Sequence, residues 1–431
     1  MSEEKFDAII VGGGLSGLTA AYVLAKEGYE VMVVERGDYC GAKNMTGGRL
    51  YGHSLEKIIP GFADEAPVER KVVKETICLQ TKEGSVNIGY QSPELGKVES
   101  ASYTVLRGKF DQWLAGKAEE AGAMIATGFR VDEVVLDDNG KAIGINANGE
   151  IMNADVVILA DGVNSLLAQK LGMKKEILPS QVAVGAKEVI KLTEEKINDR
   201  FGLKSGEGCA MMVAGDPTDG NLGGGFIYTN KDSVSIGIVA TLSDIGRSEV
   251  PVTEMIERFK EHPAVAPLIE GGEMIEYSGH LVTEEGFHMI PELYRDGVLV
   301  AGDAAAFVIN QGYTVRGMDF AIESGRLAAE AVKHAKAAGK FDAETLSIYE
   351  KYLENSFVFA DMKKAAGFPE LLAEHAIFND VPEIADEVLA SMFVVDGGRP
   401  KSIAMTAANA VCEHTTAQDL IGFLGKAMEV L

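Results

Sequence analysis

The segment that most constrains this chain is a short apolar run followed at once by spaced glycines. Phe6 to Val11 (FDAIIV) has the near-continuous hydrophobicity of a parallel strand that is buried on both faces. Gly12-Gly13-Gly14-Leu15-Ser16-Gly17 follows, and a helix pattern then runs from Leu18 to Gly28. A second buried strand, Val31 to Glu35 (VMVVE), completes the unit. This order predicts a βαβ unit that belongs to a parallel sheet.

The glycines of this turn have distinct mechanical roles in binding a dinucleotide. Gly12 permits the tight turn, Gly14 lets a diphosphate approach the backbone, and Gly17 lets the helix pack closely on the strand. The helix N-terminus offers unpaired N–H groups and partial positive charge to the diphosphate. Glu35 ends the second strand, where its carboxylate is expected to accept hydrogen bonds from a ribose. The unit predicts dinucleotide binding but does not distinguish FAD from NAD.

Charge and hydropathy restrict the possible partners. The chain has 431 residues and a net charge of −25, and it lacks the basic footprint of a nucleic-acid binder. The same acidity opposes docking on anionic lipid, so any membrane contact is expected to be apolar and local. The sequence contains neither a long apolar span nor a signal peptide, which predicts a cytoplasmic protein. Its scattered cysteines predict no metal or iron–sulfur site built by this chain alone.

The sequence after the βαβ unit predicts further strands and helices. Alternating segments at 72–102 and 178–289 are typical of antiparallel strands, whereas 154–160 and 297–301 indicate further buried strands. A long alanine-rich helix is expected over 318–337, and helices dominate the rest of the chain. The predicted fold class is α/β plus α+β, with a Rossmann-type dinucleotide-binding domain, an inserted antiparallel β-sheet domain and a helical C-terminal region.

Later motifs distinguish FAD from NAD through a resemblance. The segments beginning at Ala160 (ADGVNS) and Gly302 (GDAA) resemble the Ala-Asp-Gly-x-x-Ser and Gly-Asp motifs of flavoprotein hydroxylases and reductases. Arg107, with Phe110 and Asp111, resembles the Arg-x-x-Phe-Asp helix beside the cofactor in those proteins. The resemblance implies non-covalent FAD in a fold like that of p-hydroxybenzoate hydroxylase. It also implies that the aspartate of the Gly-Asp motif, here Asp303, contacts the ribityl or ribose part of FAD.

Three longer stretches resemble FixC-type proteins, relatives of electron-transfer-flavoprotein:quinone oxidoreductase. They are 43–51 (KNMTGGRLY), 223–233 (GGGFIYTNKDS) and 312–319 (GYTVRGMD). The resemblance implies a flavoprotein oxidoreductase that takes electrons from a two-subunit electron transfer flavoprotein and delivers them to a membrane quinone. It further implies a peripheral position on the cytoplasmic face of the membrane. The flavin carries the chemistry, so no catalytic side chain is expected.

The motifs and the resemblance together define the expected cofactor site and domains. At the start of a helix, the N–H groups of Gly317 and Met318 are expected to stabilise negative charge on the reduced flavin ring. The expected cofactor-binding residues are Gly12, Gly14, Gly17, Glu35, Arg36, Gly47, Arg107, Asp161, Gly162, Gly302, Asp303, Gly317 and Met318. The expected domains are a discontinuous FAD-binding domain (1–70, 103–175 and 290–340), a β-rich quinone or substrate domain (71–102 and 176–289) and a helical region for partner or membrane contact (341–431).

The chain departs from the longer members of this family at its C-terminal end. Those members carry clustered cysteines for an iron–sulfur cluster, whereas here Cys412 is the only cysteine after Cys209. FixC-type systems supply the cluster on a separate ferredoxin-like protein. The resemblance therefore implies such a protein as a partner in a FixABCX-like complex.

Several alternatives stay open at this level. A prenyl-lipid reductase of the geranylgeranyl type, an aromatic monooxygenase and a non-catalytic electron-transfer scaffold all fit the same motifs. Cys40 fits a substrate cavity or, better, a buried structural thiol. His53 fits the flavin edge or a structural hydrogen bond. The apolar runs at 367–372 and 392–395 fit a membrane contact or ordinary helix packing.

Overall fold

Two large sheets organise the chain in a computed structural model that describes residues 5–44, 48–398 and 402–430. The strands are β1 (Lys5–Val11), β2 (Val31–Glu35), β3 (Gly48–Tyr51), β4 (Val68–Gln80), β5 (Ser85–Gln91), β6 (Ser102–Val105), β7 (Met124–Thr127), β8 (Val131–Leu136), β9 (Ala142–Ala147), β10 (Glu150–Leu159), β11 (Val182–Lys191), β12 (Glu207–Gly215), β13 (Gly223–Thr229), β14 (Ser233–Thr241), β15 (Glu273–Thr283), β16 (Tyr294–Arg295), β17 (Val298–Val300), β18 (Ile309–Asn310) and β19 (Val315–Arg316).

Helices cover both sheets and form the C-terminal region. They are α1 (Leu15–Lys26), α2 (His53–Ile58), α3 (Arg107–Glu120), α4 (Leu166–Lys170), α5 (Glu194–Phe201), α6 (Leu242–Ile245), α7 (Val252–Glu261), α8 (Ala266–Ile269), α9 (Met318–Ala338), α10 (Ala343–Leu346), α11 (Ile348–Glu354), α12 (Phe357–Lys364), α13 (Phe368–Leu372), α14 (Asp380–Phe393), α15 (Ile403–His414) and α16 (Ala417–Val430).

The first sheet is the predicted Rossmann-type sheet. Its strand order is β16-β17-β10-β1-β2-β7, and β8 and β9 extend it beside β10. Strand β1 pairs in parallel with β2 and β10, and β10 pairs in parallel with β17. The central strands are apolar on both faces because helices cover both sides. The parallel pairing brings the ends of β1, β10 and β17 to one edge, where the glycine turn and both aspartate motifs follow.

The second sheet has the order β15-β11-β14-β13-β12-β4-β6-β3, with β5 beside β4. Ile236 and Ile238 of β14 pack against Phe259 of α7, so one face of the sheet is closed by helices. Most pairings are antiparallel, as predicted, but β4 and β12 run parallel and the sheet is therefore mixed. These two strands are far apart in sequence, and a parallel pair needs such a long crossover. The short strands β3 and β6 also join this sheet.

The C-terminal region is helical, as predicted. Leu353, Val358 and Met362 of α11 and α12 are buried in the core of the first sheet. Helix α14 packs against α15 and against the hairpin of β4 and β5. The end of α14 is exposed, with Phe393 at 75% and Val395 just beyond it at 91%. Among the described residues, no helix has both the length and the apolar character needed to cross a membrane.

Candidate functional site

The glycine turn is closely packed at two glycines and open at the third. Gly12 has a φ of +109°, and a Cβ there would lie 2.3 Å from the carbonyl oxygen of Ala160. A Cβ on Gly17 would lie 2.1 Å from the carbonyl oxygen of Gly12. Gly14 caps helix α1, and nothing lies within 4 Å of a Cβ built there. The turn therefore leaves open space at the helix N-terminus, which fits the diphosphate of a dinucleotide.

Glu35 lies beside this turn at the end of β2. Its Oε2 accepts a hydrogen bond of 2.8 Å from the N–H of Gly13, and its Oε1 accepts one of 2.6 Å from the N–H of Gly37. The carboxylate is 9% exposed. Each carboxylate oxygen keeps a further lone pair, so both can still accept from ribose hydroxyl groups. Arg36, the next residue, has an exposed side chain.

Cys40 lies behind the glycine turn. A Cβ built on Gly13 would fall 2.5 Å from its Sγ, and the thiol is 3% exposed. Burial raises the pKa of Cys40 to about 12, and the charges of Glu35 and Asp111 add to the effect. A protonated thiol in this position is unreactive. The structure therefore places Cys40 as a buried structural thiol, which is the interpretation that the sequence favoured.

The two aspartate motifs meet at the edge of the first sheet. Asp161 follows β10 and accepts a hydrogen bond of 2.8 Å from the hydroxyl of Ser165. Gly302 follows β17 with a φ of +65°, and its N–H donates to Oγ of Ser324 at 3.0 Å. Burial raises the pKa of Asp161 and of Asp303. The structure thus brings Asp161, Gly162, Gly302 and Asp303 together beside the glycine turn.

Lys174 joins these two motifs, although nothing in its sequence context marks it as part of a site. Its Nζ donates hydrogen bonds to the carbonyl oxygens of Val163 at 2.7 Å and Ala304 at 3.0 Å. Burial lowers the pKa of Lys174 to about 8, against the favourable charges of Asp161 and Asp303. One buried amine therefore holds both loops in register and partly compensates their negative charge.

Arg107 begins helix α3 on the other side of the site. Its Nε and Nη2 bind the two carboxylate oxygens of Asp111 at 2.7 and 2.8 Å. Asp111 is fully buried, which fixes the orientation of the guanidinium group. The charges of Arg107 and Asp303 both act on His280 of β15, whose pKa is lowered chiefly by burial. His280 is therefore within electrostatic reach of this site, although its position in the sequence indicated no role.

A third element, the N-terminus of α9, completes the site. Gly317 caps this helix and Met318 begins it. A Cβ on Gly48 would lie 3.1 Å from Cε of Met318, so the start of β3 lies against this helix. Gly47, the loop residue expected to bind the cofactor, lies outside the described residues.

A buried ion-pair network supports the start of α9. Asp319 is fully buried, and its Oδ2 accepts hydrogen bonds from Arg316 and lies 3.2 Å from Nε2 of His53. Arg316 also binds Asp361 of α12 at 2.6 Å. The ring of His53 makes an edge contact of 4.7 Å with Phe357. His53 therefore links α2 to α9 through a structural hydrogen bond and to α12 through a ring contact.

Two family models match parts of the chain. Residues 7–110 match the family described as FAD dependent oxidoreductase. Residues 182–282 match the family described as ETF-QO, ubiquinone-binding. The first match contains the glycine turn, Glu35 and Arg107. The second contains β11 to β14 and most of β15, which form one half of the second sheet.

Curated relatives agree with these family matches. The chain is 51% identical over 400 residues to Protein FixC of Salmonella typhi, with 93% of each chain covered. It is 50% identical over 397 residues to the probable electron transfer flavoprotein-quinone oxidoreductase YdiS of Escherichia coli K12, with 92% of each covered.

The fold is also found in more distant solved structures. A geranylgeranyl bacteriochlorophyll reductase-like protein from Thermoplasma acidophilum matches with a TM-score of 0.74 and 21% identity, over 100% of both chains. A probable FAD-dependent monooxygenase from Pseudomonas aeruginosa matches with a TM-score of 0.61 and 15% identity, over 87% of this chain and 98% of that one. At these identities the likeness concerns the fold alone. The sequence relationship shows more: this chain belongs to the FixC family, and it is an FAD-dependent flavoprotein oxidoreductase of the electron transfer flavoprotein-quinone oxidoreductase type.

Proposed function

We propose that this chain accepts electrons from a two-subunit electron transfer flavoprotein and passes them through FAD to a membrane quinone. The observation that carries the proposal is the 50% identity, over 92% of each chain, to a relative named for that reaction. The ubiquinone-binding match at residues 182–282 supports the second half of the path. The bound FAD supplies the redox chemistry, and the protein binds, orients and shields it.

Several groups on this chain are proposed to hold FAD. The N-terminus of α1 at Gly14 binds the diphosphate, and Glu35 accepts from the adenosine ribose. Asp303, positioned by Lys174, contacts the ribityl or ribose part, and the N–H groups that open α9 face the ring. The full proposed set is Gly12, Gly14, Gly17, Glu35, Arg36, Gly47, Arg107, Asp161, Gly162, Gly302, Asp303, Gly317 and Met318. Open space at Gly14 and free lone pairs on Glu35 support this assignment.

We propose one role for each of the domains expected from the sequence. Residues 1–70, 103–175 and 290–340 bind FAD, 71–102 and 176–289 bind the quinone, and 341–431 contact a partner or the membrane. The exposed side chains of Phe393 and Val395 support an apolar contact in the last region. We place the protein peripherally on the cytoplasmic face of the membrane.

The complex that we propose is FixABCX-like and includes a separate ferredoxin-like protein. A cluster of this kind needs four thiolates, and the cysteines of this chain are dispersed. Cys40 lies at the glycine turn, Cys78 and Cys209 are buried in the second sheet, and Cys412 is exposed on α15. Iron and sulfide analysis of the chain expressed alone should find essentially none. Coexpression with a small cluster protein from the same genome should give a brown complex, and stoichiometric iron in the isolated chain would contradict the proposal.

The electron path can be tested by half-reactions under anaerobic conditions. Reduced electron transfer flavoprotein should reduce the bound FAD quickly, and a soluble ubiquinone analogue should reoxidise it. NAD(P)H should reduce it slowly, because the single dinucleotide motif is assigned to FAD. Fast NADPH oxidation stimulated by an aromatic compound would support a monooxygenase. Saturation of a prenyl lipid would support the reductase alternative, and a FAD inert to every donor and acceptor would support a scaffold.

A further inference from the structure

Four apolar side chains form a row across the second sheet, on the face opposite its covering helices. Ile88 of β5 pairs with Ile77 of β4, and Ile77 pairs with Met212 of β12. Met212 in turn pairs with Phe226 of β13. The residues that follow Ile77, Met212 and Phe226 along the chain are buried in the core beneath α5 and α7. Alternation along each strand therefore directs the row to the opposite face. We call these four residues the apolar row.

The apolar row is exposed at its outer end and buried at its inner end. Ile88 is 59% exposed, Ile77 is 36% exposed and Phe226 is 6% exposed. Met212, between Ile77 and Phe226, is partly exposed. Helix α14, which ends in the exposed side chain of Phe393, packs against the hairpin that carries Ile77 and Ile88. A long apolar molecule can therefore lie along the row from the protein surface towards the middle of the sheet.

A tyrosine hydroxyl with a weak partner lies at the inner end of the row. The ring of Tyr228 stacks on that of Phe226, with 5.2 Å between the ring centroids. Within the described part of the chain, its hydroxyl donates only to Sδ of Met212, at 3.7 Å. A thioether is a weak acceptor, so a carbonyl oxygen would be a better partner. Tyr228 is partly exposed, and burial raises its pKa, so the hydroxyl keeps its proton.

The inner end of the row adjoins the proposed flavin site. The charge of Arg49 acts on Tyr228, and Cζ of Arg49 lies 4.5 Å from the ring centroid of Tyr51. Cζ of Arg316 lies 5.6 Å from the same centroid. Arg316 directly precedes Gly317, whose N–H is proposed to face the flavin ring. Arg49, Tyr51 and Arg316 are all partly exposed, so this part of the molecule is accessible.

We propose that the apolar row binds the prenyl tail of the quinone and that the hydroxyl of Tyr228 donates a hydrogen bond to a carbonyl oxygen of the quinone head. The inference rests on the proposed function, which supplies a substrate with a polar ring at one end of a long apolar chain. It assigns part of the tail site to Ile77 and Ile88, outside the ubiquinone-binding match at 182–282. Tyr228 is a positioning residue, because its hydrogen bond orients the head and transfers no proton.

The tail assignment is tested with two quinones and a matched pair of variants. FAD-loaded protein is reduced and mixed with decylubiquinone or with an analogue that carries a methyl group in place of the tail. Ile88→Gln should raise the half-saturating concentration of decylubiquinone about tenfold and leave the maximal rate unchanged, because an apolar contact with the tail is lost. The methyl analogue should bind this variant as it binds wild type.

The matched control for Ile88 is an isoleucine of similar exposure. Ile275 is 55% exposed and lies on β15, at the far side of the same sheet. Ile275→Gln should behave as wild type with both quinones. The comparison therefore separates contact with the tail from a general effect of placing a polar side chain on this sheet.

The head assignment is tested by Tyr228→Phe, which keeps the ring and removes the hydroxyl. The half-saturating concentrations of decylubiquinone and of the methyl analogue should both rise about fivefold, because both lose the same hydrogen bond. Reoxidation by ferricenium, which has no carbonyl oxygen, should be unchanged. A structural role for the hydroxyl would not distinguish quinones from ferricenium in this way.

A measurement without turnover gives an independent readout. Cys40, Cys78 and Cys209 are buried, and Cys412 is exposed, so the test uses a Cys412→Ser background. Ile88→Cys and Ile275→Cys are alkylated with N-ethylmaleimide in the oxidised, FAD-loaded protein. Saturating decylubiquinone should slow alkylation of Ile88→Cys severalfold and leave that of Ile275→Cys unchanged.

The outcomes that overturn the inference differ from those that overturn the proposed function. Unchanged affinity of Ile88→Gln for decylubiquinone, an equal loss in Ile275→Gln, or no protection of Ile88→Cys would each overturn the tail assignment. Normal affinity of Tyr228→Phe for both quinones would overturn the head assignment. If quinone protects Ile88→Cys but does not reoxidise wild-type FAD, the proposed function fails and the tail site stands.

Discussion

The glycine turn of the first sheet and the strands of the second sheet bring their residues together in different ways. The turn places backbone N–H groups and glycines from one continuous segment around a helix N-terminus. The second sheet brings Lys187 of β11 beside Ser278 of β15 only through the register of two strands that are far apart in sequence. The first region is specified by local sequence and the second by long-range pairing. A binding site built from backbone can therefore be identified in a sequence, whereas one built across strands becomes visible only in the fold.

The largest effect is expected inside the glycine turn. Gly17→Ala should lower the free energy of unfolding by about 3 kcal/mol, because the new methyl group would meet the carbonyl oxygen of Gly12 and backbone cannot yield easily. Gly14→Ala is the matched control, and its Cβ enters open space. It should change the stability of FAD-free protein by less than about 1 kcal/mol, yet weaken FAD binding. Urea unfolding measures the free energy of unfolding, and FAD titration measures the affinity. Equal destabilisation of the two variants would show that the predicted difference between Gly17 and Gly14 is wrong.

Glu35 tests the adenosine end of the same region. Glu35→Ala should weaken FAD binding by about 1–3 kcal/mol, since it removes a charged acceptor for the ribose. Two backbone N–H groups, of Gly13 and Gly37, also lose their partner. Glu35→Gln keeps an oxygen acceptor and should lose less affinity. Fluorescence titration of FAD provides the measurement, and unchanged affinity in Glu35→Ala would remove Glu35 from the proposed site.

Lys174 tests the connection between the two aspartate motifs. Its folded-state pKa of about 8 lies below the ordinary value of 10.5, so the unfolded chain binds an extra proton between these values. Stability should therefore rise with pH across that window, by at most about 1.4 kcal/mol per pH unit. Lys174→Met should lack this rise and should bind FAD less tightly at pH 7. Chemical unfolding from pH 7 to 10 compares the free energy of unfolding of the two proteins. If both changed equally with pH, the lowered pKa assigned to Lys174 would be wrong.

The smallest effect is expected at Ser278 in the second sheet. Ser278→Ala removes a buried hydroxyl that has no partner in the described part of the chain, so stability should change by less than about 0.5 kcal/mol. Thermal unfolding measures the change. A clear loss of stability would show that the hydroxyl of Ser278 has a hydrogen-bond partner.

Local signals in the sequence predicted much of the fold. The apolar runs at 6–11 and 31–35 predicted buried strands, and β1 and β2 cover them. The alanine-rich stretch from Met318 predicted α9 to within a residue, because Gly317 and Gly339 cap its ends. The parallel pairing of β4 with β12 could not be predicted, since alternation of side chains does not identify the partner strand.

The two buried lysines that sequence reasoning missed share one physical cause. Lys174 follows a short helix, and Lys187 lies in an otherwise apolar strand pattern. A single lysine in such a place is normally directed to solvent. Only the packing shows that both amines are buried. One signal was present for Lys187: the strand VAVGAKEVI is apolar on both faces except at this residue and Glu188. A charge in a strand that reads as buried is reason to consider a functional site.

The parallel pairing of β4 with β12 has a consequence for how the chain folds. This parallel pair cannot form until β12 has been synthesised, and the intervening chain must close a long loop at an entropic cost. Between these strands run β10 and α3, which belong to the first sheet or its covering layer. The strands of the two sheets therefore alternate along the chain, and neither sheet is built from one continuous segment. Folding should be slow for a protein of this size, with both sheets appearing in one late cooperative step.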